Sequence, residues 1–146
     1  MASLATAKEL LLTKYIAKRI DSVIFYDNTL LVKIEFYRTE EGRCPVIEYL
    51  DGLNTKQAQK VAWTFRAVEM LNPVPAIYLQ KMVNTDNLWE VRVSLAGNIF
   101  RLFGWMDTKD TLMLAYGFTK KTQATPVKEI ATTERRKKDH EARKKK

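Results

Sequence analysis

Two residue types that often build reactive centres are almost missing. The 146-residue chain has one cysteine, Cys44, and one histidine, His140. A lone cysteine excludes an internal disulfide framework and fits a reducing compartment, so a cytoplasmic protein is expected. One cysteine and one histidine give no metal-ligand spacing, and neither a metal nor a cofactor is expected. Cys44 stands before Pro45 with no histidine near it in sequence, which argues against a thiol nucleophile. His140 lies in a run of charges and reads as a solvated residue. With 5 glycines and 4 prolines in all, there is no glycine-rich phosphate loop and no nucleotide fingerprint. No apolar run approaches the ~18 residues of a membrane span. The N-terminal apolar block covers only residues 10–12, so no signal peptide is expected either.

What the chain has is positive charge, unevenly placed. The net charge is +8. Residues 1–119 carry 14 basic and 13 acidic side chains, whereas residues 120–146 carry 11 and 4. A nearly neutral body with a basic end suits a polyanionic partner, either a nucleic acid or an acidic protein, or else ends in a solvated tail.

Hydrophobic periodicity divides the chain. Residues 4–20 have helical spacing, and 23–26 form a strand-like run. Residues 30–37 alternate as a strand. Pro45 suits the first position of a short helix ending near Gly52. A longer helix over residues 55–71 carries the apolar stripe Ala58, Val61, Ala62, Phe65, Val68. Pro73 and Pro75 stop it. Three strands follow at 88–95, 98–106 and 111–118, joined by short turns, which implies an antiparallel meander. Thr125-Pro126 opens a last helix, whose first turns can dock and whose charged remainder reads as exposed or frayed. The expected fold is α+β: an antiparallel twisted sheet, a helical hairpin on one face and a C-terminal helix.

Charges inside the strands locate a candidate site. If the "AGN" turn centres on Ala96 and Gly97, Arg92 and Arg101 fall opposite each other. Two adjacent guanidiniums repel unless an anion lies between them. Glu90, on the face of Arg92, supplies one from within as a cross-strand ion pair. A phosphate supplies one from outside, gripped in a two-pronged geometry. Spacing alone leaves both readings open. Tyr116 lies near the end of the last strand, just before the adjacent Lys120 and Lys121. It reads as a core residue with its hydroxyl at the surface, a stacking platform, or a proton-transfer group.

Three segments, "KIEFYRTEEGRCPVIEYLDGL", "LWEVRVSLAGNIFRLFGW" and "YGFTKKTQATPVKEI", together resemble the phage-derived, HigB-like branch of the RelE/ParE toxin superfamily. The resemblance spans residues 30–138. It implies a RelE/ParE-like toxin domain there, an N-terminal extension over 1–29, and a basic tail over 139–146. It also implies the toxin of a type II toxin–antitoxin pair, cleaving mRNA on the ribosome without a metal. The ribose 2′-OH would attack the adjacent phosphate and leave a cyclic phosphate.

In that pattern Arg92 and Arg101 match the two strand arginines, and Lys120 and Lys121 the "K-K" pair. Arg92, Arg101, Lys120 and Tyr116 are then the expected catalytic set. Lys121, Lys81, Arg135 and Arg136 are expected to contact RNA, and Glu90 to orient an arginine. Tyr116 departs from relatives that often carry histidine before "G-F", and a phenol is a far weaker acid than an imidazolium. The implied partners are a helix-turn-helix, HigA-like antitoxin, mRNA and the ribosome, with no membrane. The assembly would be a homodimer or a toxin–antitoxin hetero-oligomer. Two other readings compete: a ParE-like toxin that acts on DNA gyrase without nuclease activity, and a basic nucleic-acid-binding module without catalysis.

Overall fold

A computed structural model describes residues 32–145, apart from Asn72 and Gln123. The helix expected over 4–20 and the strand-like run at 23–26 lie outside the described residues. The described elements are β1 (Lys33–Phe36), α1 (Pro45–Asp51), α2 (Thr55–Met70), β2 (Leu79–Lys81), β3 (Leu88–Leu95), β4 (Asn98–Thr108), β5 (Thr111–Lys120) and α3 (Val127–Lys144). The architecture is α+β, as expected. Among the described residues no helix is long and apolar enough to cross a membrane.

The strands form one sheet in the order β1-β5-β4-β3-β2. β3, β4 and β5 make the antiparallel meander. β1 joins β5 in parallel, so the sheet is mixed. β2 is an edge strand of three residues, too short for its alternation to be recognised in sequence.

Helices α1 and α2 cover one face. Proline occupies the start of α1. A capping box starts α2, where the Asn54 side chain accepts from Gln57 N at 2.8 Å and the Gln57 side chain accepts from Asn54 N at 3.1 Å. The predicted stripe Ala58, Val61, Ala62, Phe65, Val68 is buried. Val61, Ala62, Phe65 and Val68 share a core with Val91, Val93, Phe100, Leu102, Leu112 and Leu114 of the sheet. Gly117 lets α1 lie directly on β5, since a Cβ there would stand 2.4 Å from the Tyr49 ring.

Helix α3 crosses the opposite face. There Ile130 packs against a second core of Tyr37, Leu88, Trp105, Met113 and Ala115. Its charged second half, expected to fray, is instead helical to Lys144 and tied down. Lys137 Nζ donates to Asp86 O at 2.7 Å, and Asp86 N donates to Glu134 Oε1 at 3.1 Å. Tyr37 donates to Asp139 at 2.6 Å, and Arg143 donates to the Arg38 carbonyl at 2.6 Å. His140 is not the solvated residue that its charged surroundings suggest. Its ring lies 5.7 Å from Trp105, and its Nε2 is 3.2 Å from Asp107. Bonds from side chains to distant loops thus replace the apolar contacts this half lacks. Hydropathy cannot register them.

The β4–β5 register slips between Phe103 and Gly104: Phe103 pairs with Tyr116, but Gly104 pairs with Leu114. Ala115 is the extra residue of a β-bulge. The bulge reverses the parity of the strand. Leu112 and Leu114 face the α2 core, while Tyr116 and Phe118, which would otherwise follow them, join the α3 face. Gly104 makes this possible, because a Cβ there would lie 1.9 Å from the Met113 carbonyl oxygen.

Two outcomes follow. Gly104→Ala forces β4 and β5 apart and should lower unfolding stability by about 2 kcal/mol or more in urea titration. Burial alone would push the Asp107 carboxyl up, but the Lys144 ammonium at 2.9 Å and His140 hold it below the usual aspartate range. A carboxylate depressed in the folded state adds stability above its unfolded pKa and loses it as pH falls through the folded one. The stability advantage of wild type over Asp107→Asn should therefore be full at neutral pH and shrink on acidification below about pH 4.

Candidate functional site

The turn at Ala96 and Gly97 has positive φ at both residues, 50° and 83°, as a two-residue hairpin turn of type I′ requires. It fixes the register, and Arg92 pairs directly with Arg101. Both lie on the α3 side of the sheet, beyond the part that α3 covers. Glu90, Phe103 and Phe118 stand beside Arg101.

The internal ion pair of the two open readings is present, and it selects one arginine. The Arg101 Nε donates to Glu90 Oε2. Glu90 is only 3% exposed, and the Arg101 side chain 13%. The Arg101 guanidinium also lies 5.0 Å from the Phe103 ring and 5.6 Å from the Phe118 ring, so it is held by one carboxylate and two aromatic faces. Arg92 is different. Its Nε is buried without a hydrogen-bond partner among the described residues, and no carboxylate neutralises it there. The face therefore presents one compensated and one uncompensated guanidinium side by side, an arrangement suited to an anion with several oxygens.

Lys120 sits across from Ile99 at the end of β5. With Arg101, Phe118, Lys121, Thr125 and Glu129 it lines a cleft of about 270 Å³. Lys121 is exposed. Tyr116 lies one turn of the pleat away from Phe118, with ring centroids 5.9 Å apart. It opens onto a second, smaller hollow lined by Arg43, Glu48 and Arg136.

Arg136 Nη1 donates to the Ala115 carbonyl at 2.6 Å, and its guanidinium lies 5.4 Å from the Tyr116 ring. It thus satisfies the bulged residue and braces the tyrosine. Burial draws its pKa down from the usual arginine value. Arg135 is exposed on α3. Lys81 stands apart, since it is exposed on edge strand β2 and pairs with Trp89, whose ring packs on the α2 side.

The structure therefore brings Glu90, Arg92, Arg101, Tyr116 and Lys120 to one face, with Lys121 and Arg136 at its margins, and leaves Lys81 and Arg135 away from it. Phe103 and Phe118 were missed as supports of Arg101, although the alternation of β4 places Phe103 two residues along on the same face. Cys44 is buried, and burial pushes its thiol up, away from nucleophilic use. Among the described residues no group of three or more histidine, cysteine, aspartate or glutamate side chains could hold a metal ion.

Fold and face together define a small, basic α+β protein with paired strand arginines set among aromatic rings. The chain belongs to the phage-derived Gp49-like protein family (DUF891), which it matches over residues 48–138. That span contains the arginine pair, Glu90, Tyr116 and both lysines. No curated protein matches the chain.

Glu90→Gln removes the charge that offsets a nearly buried guanidinium. It should cost about 3 kcal/mol in urea unfolding, well above the effect of an exposed glutamate such as Glu40→Gln, which should lie within about 0.5 kcal/mol.

Proposed function

We propose that the protein is the toxin of a type II toxin–antitoxin pair, a metal-independent endoribonuclease similar to the HigB-like branch of the RelE/ParE superfamily. The observation that carries this reading is the Arg92–Arg101 pair, with one guanidinium compensated by Glu90 and the Nε of the other without a partner among the described residues. The α+β fold, the phage-derived family and the lysine-lined cleft beside the pair support it.

In this reading residues 30–138 form the toxin domain, the protein works in the cytoplasm, and a helix-turn-helix antitoxin neutralises it. The scissile phosphate of an mRNA bridges Arg92 and Arg101. Its 2′-oxygen attacks phosphorus, the bond to the 5′-oxygen breaks, and the products are a 2′,3′-cyclic phosphate and a 5′-hydroxyl. One proton leaves the 2′-OH and one reaches the 5′-oxygen. Tyr116 and Lys120 are the side chains we assign to exchange them. The arginines stabilise the charge that builds on the phosphoryl oxygens, and Glu90 keeps Arg101 in position. Lys121 contacts the flanking backbone, and the guanidinium of Arg136 contacts the neighbouring nucleotide.

The test is 5′-end mapping of cellular mRNA after brief induction, with wild type beside Arg92→Ala and Arg101→Lys. New cuts inside reading frames are expected for wild type. Each variant should cut about 10²- to 10³-fold more slowly while keeping its far-UV circular dichroism. Equal cutting by both variants would remove the arginines from the mechanism. Growth arrest with intact mRNA and damaged DNA would point to the gyrase-directed reading instead.

A further inference from the structure

We propose that the hollow beside Tyr116 is a base-recognition subsite for a single-stranded RNA, built to take guanine. The proposal rests on the ribonuclease reading for the kind of chain it receives, but its chemistry is local.

The hollow, of about 190 Å³, is lined by Thr39, Arg43, Pro45, Glu48, Tyr116 and Arg136. That is below the roughly 300 Å³ of pockets that enclose larger ligands, and it suits one flat ring system. It adjoins the arginine–lysine cleft along a single strand. Tyr116 lines the hollow, and Phe118 to Lys121 line the cleft. At about 3.3 Å per residue, Tyr116 and Lys120 are ~13 Å apart along β5. An RNA with a phosphate in the cleft can therefore carry a neighbouring base to the hollow.

Two features give the hollow a stacking surface and a reading edge. The Arg136 guanidinium lies over the Tyr116 ring, 5.4 Å from its centroid, and is tied to Ala115 O. RNA bases stack on arginine planes as they do on aromatic rings. At the other wall Arg43 and Glu48 form a two-pronged pair, Nε to Oε2 at 3.0 Å and Nη2 to Oε1 at 2.6 Å. Their side chains are 70% and 47% exposed, so the pair adds little to stability. The turn that carries Arg43 is closed by reciprocal bonds, Thr39 N to Arg43 O at 2.8 Å and Arg43 N to Thr39 Oγ1 at 3.1 Å.

The pair thus presents a donor next to an acceptor, each oriented by the other. Arginine only donates, and a carboxylate only accepts, with lone pairs to spare beyond its bonds to Arg43. Guanine is the base with a matching edge. Its ring N–H and amino group offer two adjacent donors to a carboxylate, and its O6 accepts from a neighbouring guanidinium. Adenine, cytosine and uracil lack the two adjacent donors.

The experiment titrates five-nucleotide RNAs, identical except for one central base, into full-length Arg92→Ala protein, which leaves the hollow intact. Fluorescence anisotropy reads the affinity. The guanine oligomer should bind about 10-fold or more tightly than the other three, the scale of one good two-pronged base contact. Glu48→Gln and Arg43→Ala, each added to Arg92→Ala, should level the four affinities. No guanine preference, or one that survives both substitutions, overturns the subsite. The mRNA map of the wild-type chain separates this from the wider reading. Cuts in cells without a Glu48-dependent preference in binding would sink the subsite alone. A Glu48-dependent preference with uncut mRNA would sink the nuclease and leave the subsite standing.

Discussion

The bulge at Ala115 sets which side chains reach the face that holds the arginine pair. A strand is a two-sided object, and one extra residue moves everything beyond it to the other side. Ahead of the bulge β5 commits Leu112 and Leu114 to the core under α2. Beyond it Tyr116 and Phe118 turn to the face that holds Arg101. Two further features maintain the irregularity. Gly104 offers the space into which the Met113 carbonyl moves, and Arg136 reaches from α3 to bond the Ala115 carbonyl. The C-terminal helix is thus part of the machinery that aims Tyr116.

The same face shows how a sheet carries two adjacent like charges. Glu90 is nearly buried and pairs with Arg101, so its desolvation is balanced by one close opposite charge and the polarisable rings around it. Of the two arginines, Glu90 pairs with Arg101. The Arg92 Nε has no hydrogen-bond partner among the described residues, and in the proposed reading that asymmetry favours an external anion. The basic end of the chain adds a longer-range field of the same sign. Part of that charge is occupied, since Lys137, Arg143 and Lys144 engage Asp86, Asp139 and Asp107.

Much of the local structure was legible before any coordinates. Pro45, the stripe from Ala58 to Val68 and the alternation from Leu88 to Leu95 carry their secondary structure in their own spacing. The Arg92–Arg101 pairing was legible as well, because a two-residue turn with a glycine sets the register of a hairpin by counting outward. The parallel entry of β1, the edge strand β2 and the docking of the far half of α3 were not legible. Each depends on partners far away in sequence: β1 on β5, Asp139 on Tyr37, Lys137 on Asp86. A charged helix has the same composition whether its charges meet water or a distant loop.

The amino-acid sequence by itself determined the fold class, the helical hairpin, the meander and the arginine pair, all set by periodicities and turns within a few residues. The tertiary structure alone decided which arginine Glu90 neutralises, that Tyr116 faces the site, and that Arg136 and the Arg43–Glu48 pair frame a hollow beside it. Those outcomes depend on parity after a bulge and on contacts across four elements. A bulge is visible only when two strands are laid side by side, and a contact between β5 and α3 exists only once the chain has closed around its core.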